Sequence, residues 1–113
     1  MQANIRRAAS GARRLAFAAM LAQFRQEIDS LDEQLVTLLA QRFDVVRRVA
    51  EYKAATDTPM MQPDRVAQVR ERWSAVALEH GCAPENVLPI LDRLFERMFA
   101  YEDTLIEARR AGA

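Results

Sequence analysis

Four charged side chains stand where a hydrophobic seam should run. Arg42 occupies a heptad position otherwise filled by Ile28, Leu35 and Val49, and Arg25 and Lys53 share the neighbouring position, four heptads apart. Glu102 falls between Met98 and Leu105/Ile106, on the inner side of a later amphipathic segment. Cations removed from water need anions, and the chain places few acids on those faces. Such a set suits a small, multiply negative ligand held in an apolar interior. Each residue alone has a plainer explanation, since a long cation snorkels from a seam and a buried Glu pairs with an Arg. Three cations and a carboxyl along one core are harder to account for in that way. Of the 16 cationic residues, 15 are Arg and only Lys53 is Lys. Coding bias explains the Arg excess, but the one ammonium is a compact donor that a guanidinium does not replace.

The elements that must position these groups are helices. Leu21, Phe24, Ile28, Leu31, Leu35, Leu38, Arg42, Val45, Val49 and Tyr52 recur at alternating three- and four-residue steps. No Gly or Pro interrupts Ala12 to Thr58, and Asp57, Thr58 and Pro59 are expected to stop the helix. Pro63-Asp64 opens a second helix with Val66, Val69, Trp73 and Val76 on its apolar face, and Gly81 ends it. Ala83-Pro84-Glu85 opens a third, with Val87, Ile90/Leu91, Leu94, Met98, Tyr101 and Leu105 along one side. Pro89 is expected within about the first turn, where it is tolerated. The fold class is all-α, with one very long helix, one short and one medium. A first helix of about 40 residues would run roughly 60 Å, about twice the width of a compact chain of this size. The two later helices cover only part of its seam, so a second copy is expected to bury the rest in an intertwined helical homodimer.

Spacing also constrains the charged set. Arg42 and Lys53 are about 16 Å apart along a helix axis, a gap that two long side chains and a small ligand close. Arg25 and Lys53 are about 42 Å apart, which no small ligand bridges. If Arg25 serves the same pocket, it comes from the partner chain of an antiparallel pair.

Composition excludes several classes of function. The 113 residues allow one domain with a modest core, and 16 cations balance 16 acids. Zero net charge argues against a general nucleic-acid or membrane-surface role, and no apolar run is long enough to span a bilayer. A cytoplasmic location is expected. Cys82 forms no intrachain disulfide, being the single cysteine. His80 lies alone beside Gly81 and reads as a surface or capping residue, so no metal site is expected. Trp73 on its apolar stripe reads as core. Residues 1–20 carry Arg6, Arg7, Arg13 and Arg14 without an acid and read as a basic leader, disordered or a helical extension, with Ser10-Gly11 as a breaker. Residues 21–110 form the helical domain.

From Arg25-Gln-Glu-Ile-Asp-Ser-Leu-Asp-Glu-Gln-Leu through Leu38-Leu-Ala-Gln-Arg42, Val49-Ala-Glu-Tyr-Lys53 and Pro63-Asp-Arg65, the chain resembles the all-helical chorismate mutase family. The likeness covers roughly Phe24 to Glu107. It implies an intertwined dimer that converts chorismate to prephenate by a Claisen rearrangement within one molecule, without metal or cofactor, in aromatic amino-acid biosynthesis. It implies that Arg42 and the partner's Arg25 clamp carboxylates, that Lys53 donates to the breaking ether oxygen, and that Arg65 supports the ring carboxylate.

Four positions depart from that pattern. Glu102 stands where many members have Gln near the ether oxygen, and should work only when protonated. Val66 replaces a Glu that contacts the ring hydroxyl, Gln62 replaces a common Asp, and Met98 replaces a small hydroxyl residue. The less polar hydroxyl side keeps two alternatives open: an isochorismate pyruvate-lyase, which the Arg65-Val66 pair resembles, and an aminodeoxychorismate mutase. A rival of another class is a non-catalytic helical dimer or regulatory module whose seam cations meet acids of a partner protein. At this length, the regulatory or fused catalytic domains of larger relatives are not expected.

Overall fold

A computed structural model of the chain describes residues 2–56 and 62–112, and the side chains of 5–56 and 62–112. Its elements are three helices: α1 from Gln2–Thr56, α2 from Pro63–Glu79 and α3 from Pro84–Gly112. The described residues include no strand, so the chain is all-α. The stop expected at Asp57 to Pro59 lies outside the described residues.

Two compact units divide the chain, one up to Gln41 and one from Arg42 onward. The first is a length of α1 alone. It begins at Gln2 and runs through Ser10-Gly11, so the expected breaker does not act as one. A glycine within a helix costs only about 1 kcal/mol relative to Ala, and the alanines and arginines around Gly11 are good helix formers. The apolar stripe of this unit faces solvent: Phe24, Ile28, Leu31, Leu35 and Leu38 are each at least 50% exposed.

The second unit holds the end of α1 with α2 and α3. Its core is small: Val46 and Ala50 from α1, Val69 and Ala77 from α2, and Leu91, Leu94 and Phe95 from α3 are buried. Phe43 meets Tyr101 edge-on at 5.5 Å between ring centroids, fixing α1 against α3. Arg109, in the last turn of α3, donates to the Glu51 carbonyl at 3.3 Å. Arg70 and Asp92 tie α2 to α3 at the surface.

Local signals set the ends of α2. Gln62 is its N-cap in an extended conformation, and its carbonyl accepts from the N–H groups of Arg65 (3.0 Å) and Val66 (3.2 Å). Pro63 at the first helical position gives up an N–H that would be unpaired there anyway. At the other end Gly81 has φ of 69°, the left-handed region, which glycine adopts at little cost. There the Cys82 N–H reaches the Ala77 carbonyl at 2.8 Å and the Gly81 N–H the Leu78 carbonyl at 3.1 Å, closing a Schellman motif. His80 is the C-cap residue of α2. Pro89 lies in the second turn of α3, slightly deeper than expected, and α3 continues through it.

Candidate active site

The second unit encloses a cavity of about 360 Å³ between the end of α1, the first two turns of α2 and the middle of α3. Arg42, Lys53, Gln62, Arg65, Val66, Met98 and Glu102 all line it. Its spacing follows from helix geometry. Arg42 and Lys53 are 11 residues apart and return to nearly the same face of α1 after three turns. Met98 and Glu102 are one turn apart on the face of α3 opposite them. Gln62 uses its backbone, not its side chain, to cap α2, so the amide is left to face the cavity.

Arg25 is the one residue of the expected set that does not line this cavity. It lies in the first unit, on an exposed stretch of α1. The walls also include residues that were not singled out as site residues: Val45, Val46, Val49, Val69, Phe95 and Phe99. Phe95 and Phe99 stack at 6.1 Å between centroids. Helical apolar spacing marked Val45, Val49 and Val69, a signal that is the same for a core residue and a pocket wall, and did not mark Val46, Phe95 or Phe99.

The electrostatics are dominated by cations and one carboxyl. Glu102 is 2% exposed, and its Oε2 lies 3.7 Å from Lys53 Nζ without a hydrogen-bond partner of its own. Burial raises the Glu102 pKa above the ordinary carboxylate value, the Lys53 ammonium pulls it down, and Asp103 adds a further push upward. Arg42 is lowered, first by burial and then by the nearby Arg65 guanidinium, though a guanidinium stays charged at any physiological pH. Arg42 donates to the Met98 sulfur, which holds it over the cavity. Arg65 is exposed and also reaches Gln68 Oε1 at 2.5 Å.

Residues 24–103 match the family model for chorismate mutase type II. The chain belongs to that family. Within the family it is 34% identical over 86 residues to a 4-amino-4-deoxychorismate mutase of Streptomyces venezuelae, covering 76% of this chain and 84% of that protein. It is 33% identical over 82 residues to a 4-amino-4-deoxychorismate mutase of Streptomyces pristinaespiralis, covering 73% and 64%. A chorismate mutase of Methanocaldococcus jannaschii is 28% identical over 87 residues, covering 77% and 88%. Chorismate mutase type II members are enzymes of the isomerase class, and the cavity lies wholly within the matched stretch. No helix among the described residues is long and apolar enough to cross a membrane.

Proposed function

We propose that this chain is a chorismate mutase that converts chorismate to prephenate in the cavity lined by Arg42, Lys53, Arg65 and Glu102. The observation that carries this reading is the convergence of three cations and a buried carboxyl on one small apolar cavity. The reaction is an isomerisation: the ether C–O bond breaks as a C–C bond forms, and no atom or electron enters or leaves. What the protein must supply is a compact substrate conformer and stabilisation of the negative charge that grows on the ether oxygen. Arg42 and Arg65 clamp carboxylates, for which the guanidinium fork is suited. Lys53 and the protonated Glu102 donate to the ether oxygen. The valines and phenylalanines around them exclude water and strengthen each of these contacts. No metal or cofactor has a step to perform.

The site is completed by a second copy. The exposed stripe Phe24, Ile28, Leu31, Leu35 and Leu38 supports this, because a contiguous apolar face of that length is rarely left in water. A groove of about 540 Å³ beside the cavity, with Val69, Trp73, Val76, Ala77 and Val87 on its walls between Arg42, Arg65 and Arg72, would offer that stripe a seat. In an antiparallel pair the partner's Arg25 becomes the third guanidinium of the site. Residues 21–110 are then the catalytic domain and 1–20 an appended helical extension. A cytoplasmic location agrees with the substrate's chemistry.

A second reading is favoured by Val66 and Gln62. Both line the cavity where acidic residues would otherwise face the ring hydroxyl, and two relatives are named for a substrate with an amine in that place. Parallel assays with chorismate, 4-amino-4-deoxychorismate and isochorismate, using a Lys53→Ala control, test the reading. Prephenate formation that depends on Lys53 supports it. A higher kcat/KM for the amino substrate selects the second reading, salicylate from isochorismate selects a lyase, and no turnover of any substrate rejects an enzyme.

A further inference from the structure

We infer that residues 5–20 of α1 form a docking helix for an anionic phospholipid surface. The zero net charge of the chain hides a division. Residues 1–26 carry five arginines and no acid, which leaves 11 cations against 16 acids in the remainder. Local charge, not the total, decides what a segment attracts.

The arrangement of that charge is specific. At about 100° per residue, Arg6, Arg7, Arg13 and Arg14 fall within roughly a third of the helix circumference. The opposite side carries Ile5 and Leu15 among Ala8, Ala12, Ala16 and Ala19, and Met20 borders the basic arc beside Arg13. Ile5, Leu15 and Met20 are 66%, 74% and 55% exposed, and none of the four arginines has an acid partner among the described residues. A basic arc facing an apolar arc on one helix is the pattern of a segment that lies in a membrane interface. Phe17, 66% exposed, sits within the basic arc, on the heptad line and not on the apolar arc.

A second copy does not account for these features. Continued back from Leu21 at heptad spacing, the apolar stripe reaches Phe17, Arg14, Ser10 and Arg7. The basic arc therefore occupies the line along which a coiled pairing would run, and the apolar arc faces away from it. A nucleic acid would use the arginines and leave Ile5 and Leu15 in water. The extension also lies outside the stretch 24–103 that matches the family.

The test uses the full chain and sedimentation with vesicles of phosphatidylcholine alone or with a third of the lipid replaced by phosphatidylglycerol. Binding is expected to the anionic vesicles only and to fade at high salt. Each Arg near an anionic surface is worth roughly fivefold in partition. Replacing Arg6, Arg7, Arg13 and Arg14 together by Gln should lower it by at least about 100-fold. Ile5→Ser with Leu15→Ser should also abolish binding while leaving all charges in place. Both variants should keep the helical signal and the mutase activity of the unaltered chain, which separates this inference from the catalytic reading. It is overturned by failure to bind anionic vesicles, by binding that survives loss of Ile5 and Leu15, or by equal retention on a DNA duplex.

Discussion

Replacing Glu102 by Gln separates a carboxyl that works as a neutral donor from one that merely pairs with Lys53. Below its pKa the carboxyl presents an O–H to the ether oxygen; above it, a negative charge faces a developing negative charge. Burial is the largest influence on this group and raises its pKa, against the opposing pull of Lys53. The wild-type kcat/KM should therefore be level at acid pH and then fall about tenfold for each pH unit as the neutral fraction declines. Loss of one donor at a developing oxyanion costs about 3 kcal/mol, or roughly 10²- to 10³-fold in rate. The decline should thus extend over about two to three pH units before levelling.

The Gln variant donates an N–H at every pH. Its profile should be flat across that range and should cross above the wild type at alkaline pH. The assay is the loss of the substrate's ultraviolet absorbance at subsaturating concentration, from acid to mildly alkaline pH. A flat wild-type profile, or a Gln variant that keeps the wild-type slope, refutes the assignment. Stability gives a second readout with its own sign. A carboxyl whose pKa is raised on folding binds its proton more tightly in the folded chain, so unfolding free energy falls as pH rises from the ordinary value of 4.5 through the raised one. Thermal melts of Glu102→Gln should lose that decline.

Other substitutions test the remaining parts. Arg42→Ala should lower kcat/KM by about 10²-fold, in line with loss of a charged hydrogen bond, with steady-state kinetics as the check. Val66→Glu with Gln62→Asp should shift preference toward the substrate bearing a ring hydroxyl, read as the ratio of kcat/KM for chorismate and 4-amino-4-deoxychorismate. Arg25→Ala and Lys53→Ala chains should each be inactive, yet after unfolding and refolding together they should regain about a quarter of wild-type activity, because half of a random mixture is mixed dimer with one intact site in two. No recovery would remove Arg25 from the site. Leu91→Ala, at a fully buried position in the small core, should cost about 2–5 kcal/mol in a urea melt.

Most of the helix plan was legible from punctuation. Pro63 and Gly81 mark the ends of α2 because a missing N–H is tolerated only at a helix start and a positive φ costs glycine little. Ser10-Gly11 misleads for the opposite reason: a single glycine is a small penalty set against a run of strong helix formers. Charged site residues stood out because a cation or carboxyl on an apolar stripe demands a partner. Val45, Val49 and Val69 did not, since a side chain facing a neighbour and one facing a ligand have identical spacing. Arg25 marks another limit, because the role proposed for it needs a second chain, which spacing within one chain does not locate.

On the proposed reading, the charges that select the substrate also prepare the catalytic donor. The Arg65 guanidinium adds to burial in lowering Arg42, and the two carboxylates of a bound dianion would relieve that repulsion. Lys53 at 3.7 Å is what holds Glu102 toward its ionised form. A substrate carboxylate drawn to Lys53 competes for that ammonium and adds negative charge near Glu102. Both effects favour the protonated carboxyl, which is the form able to donate. A Glu at this place is therefore less costly than it would be in an apolar pocket without cations, because the bound dianion itself promotes the required protonation. It follows that Lys53 and Glu102 act as one unit. At alkaline pH Glu102→Gln should raise the activity of the wild type but not the residual activity of a Lys53→Ala chain, since removing the ammonium already takes away the group that holds the carboxyl ionised.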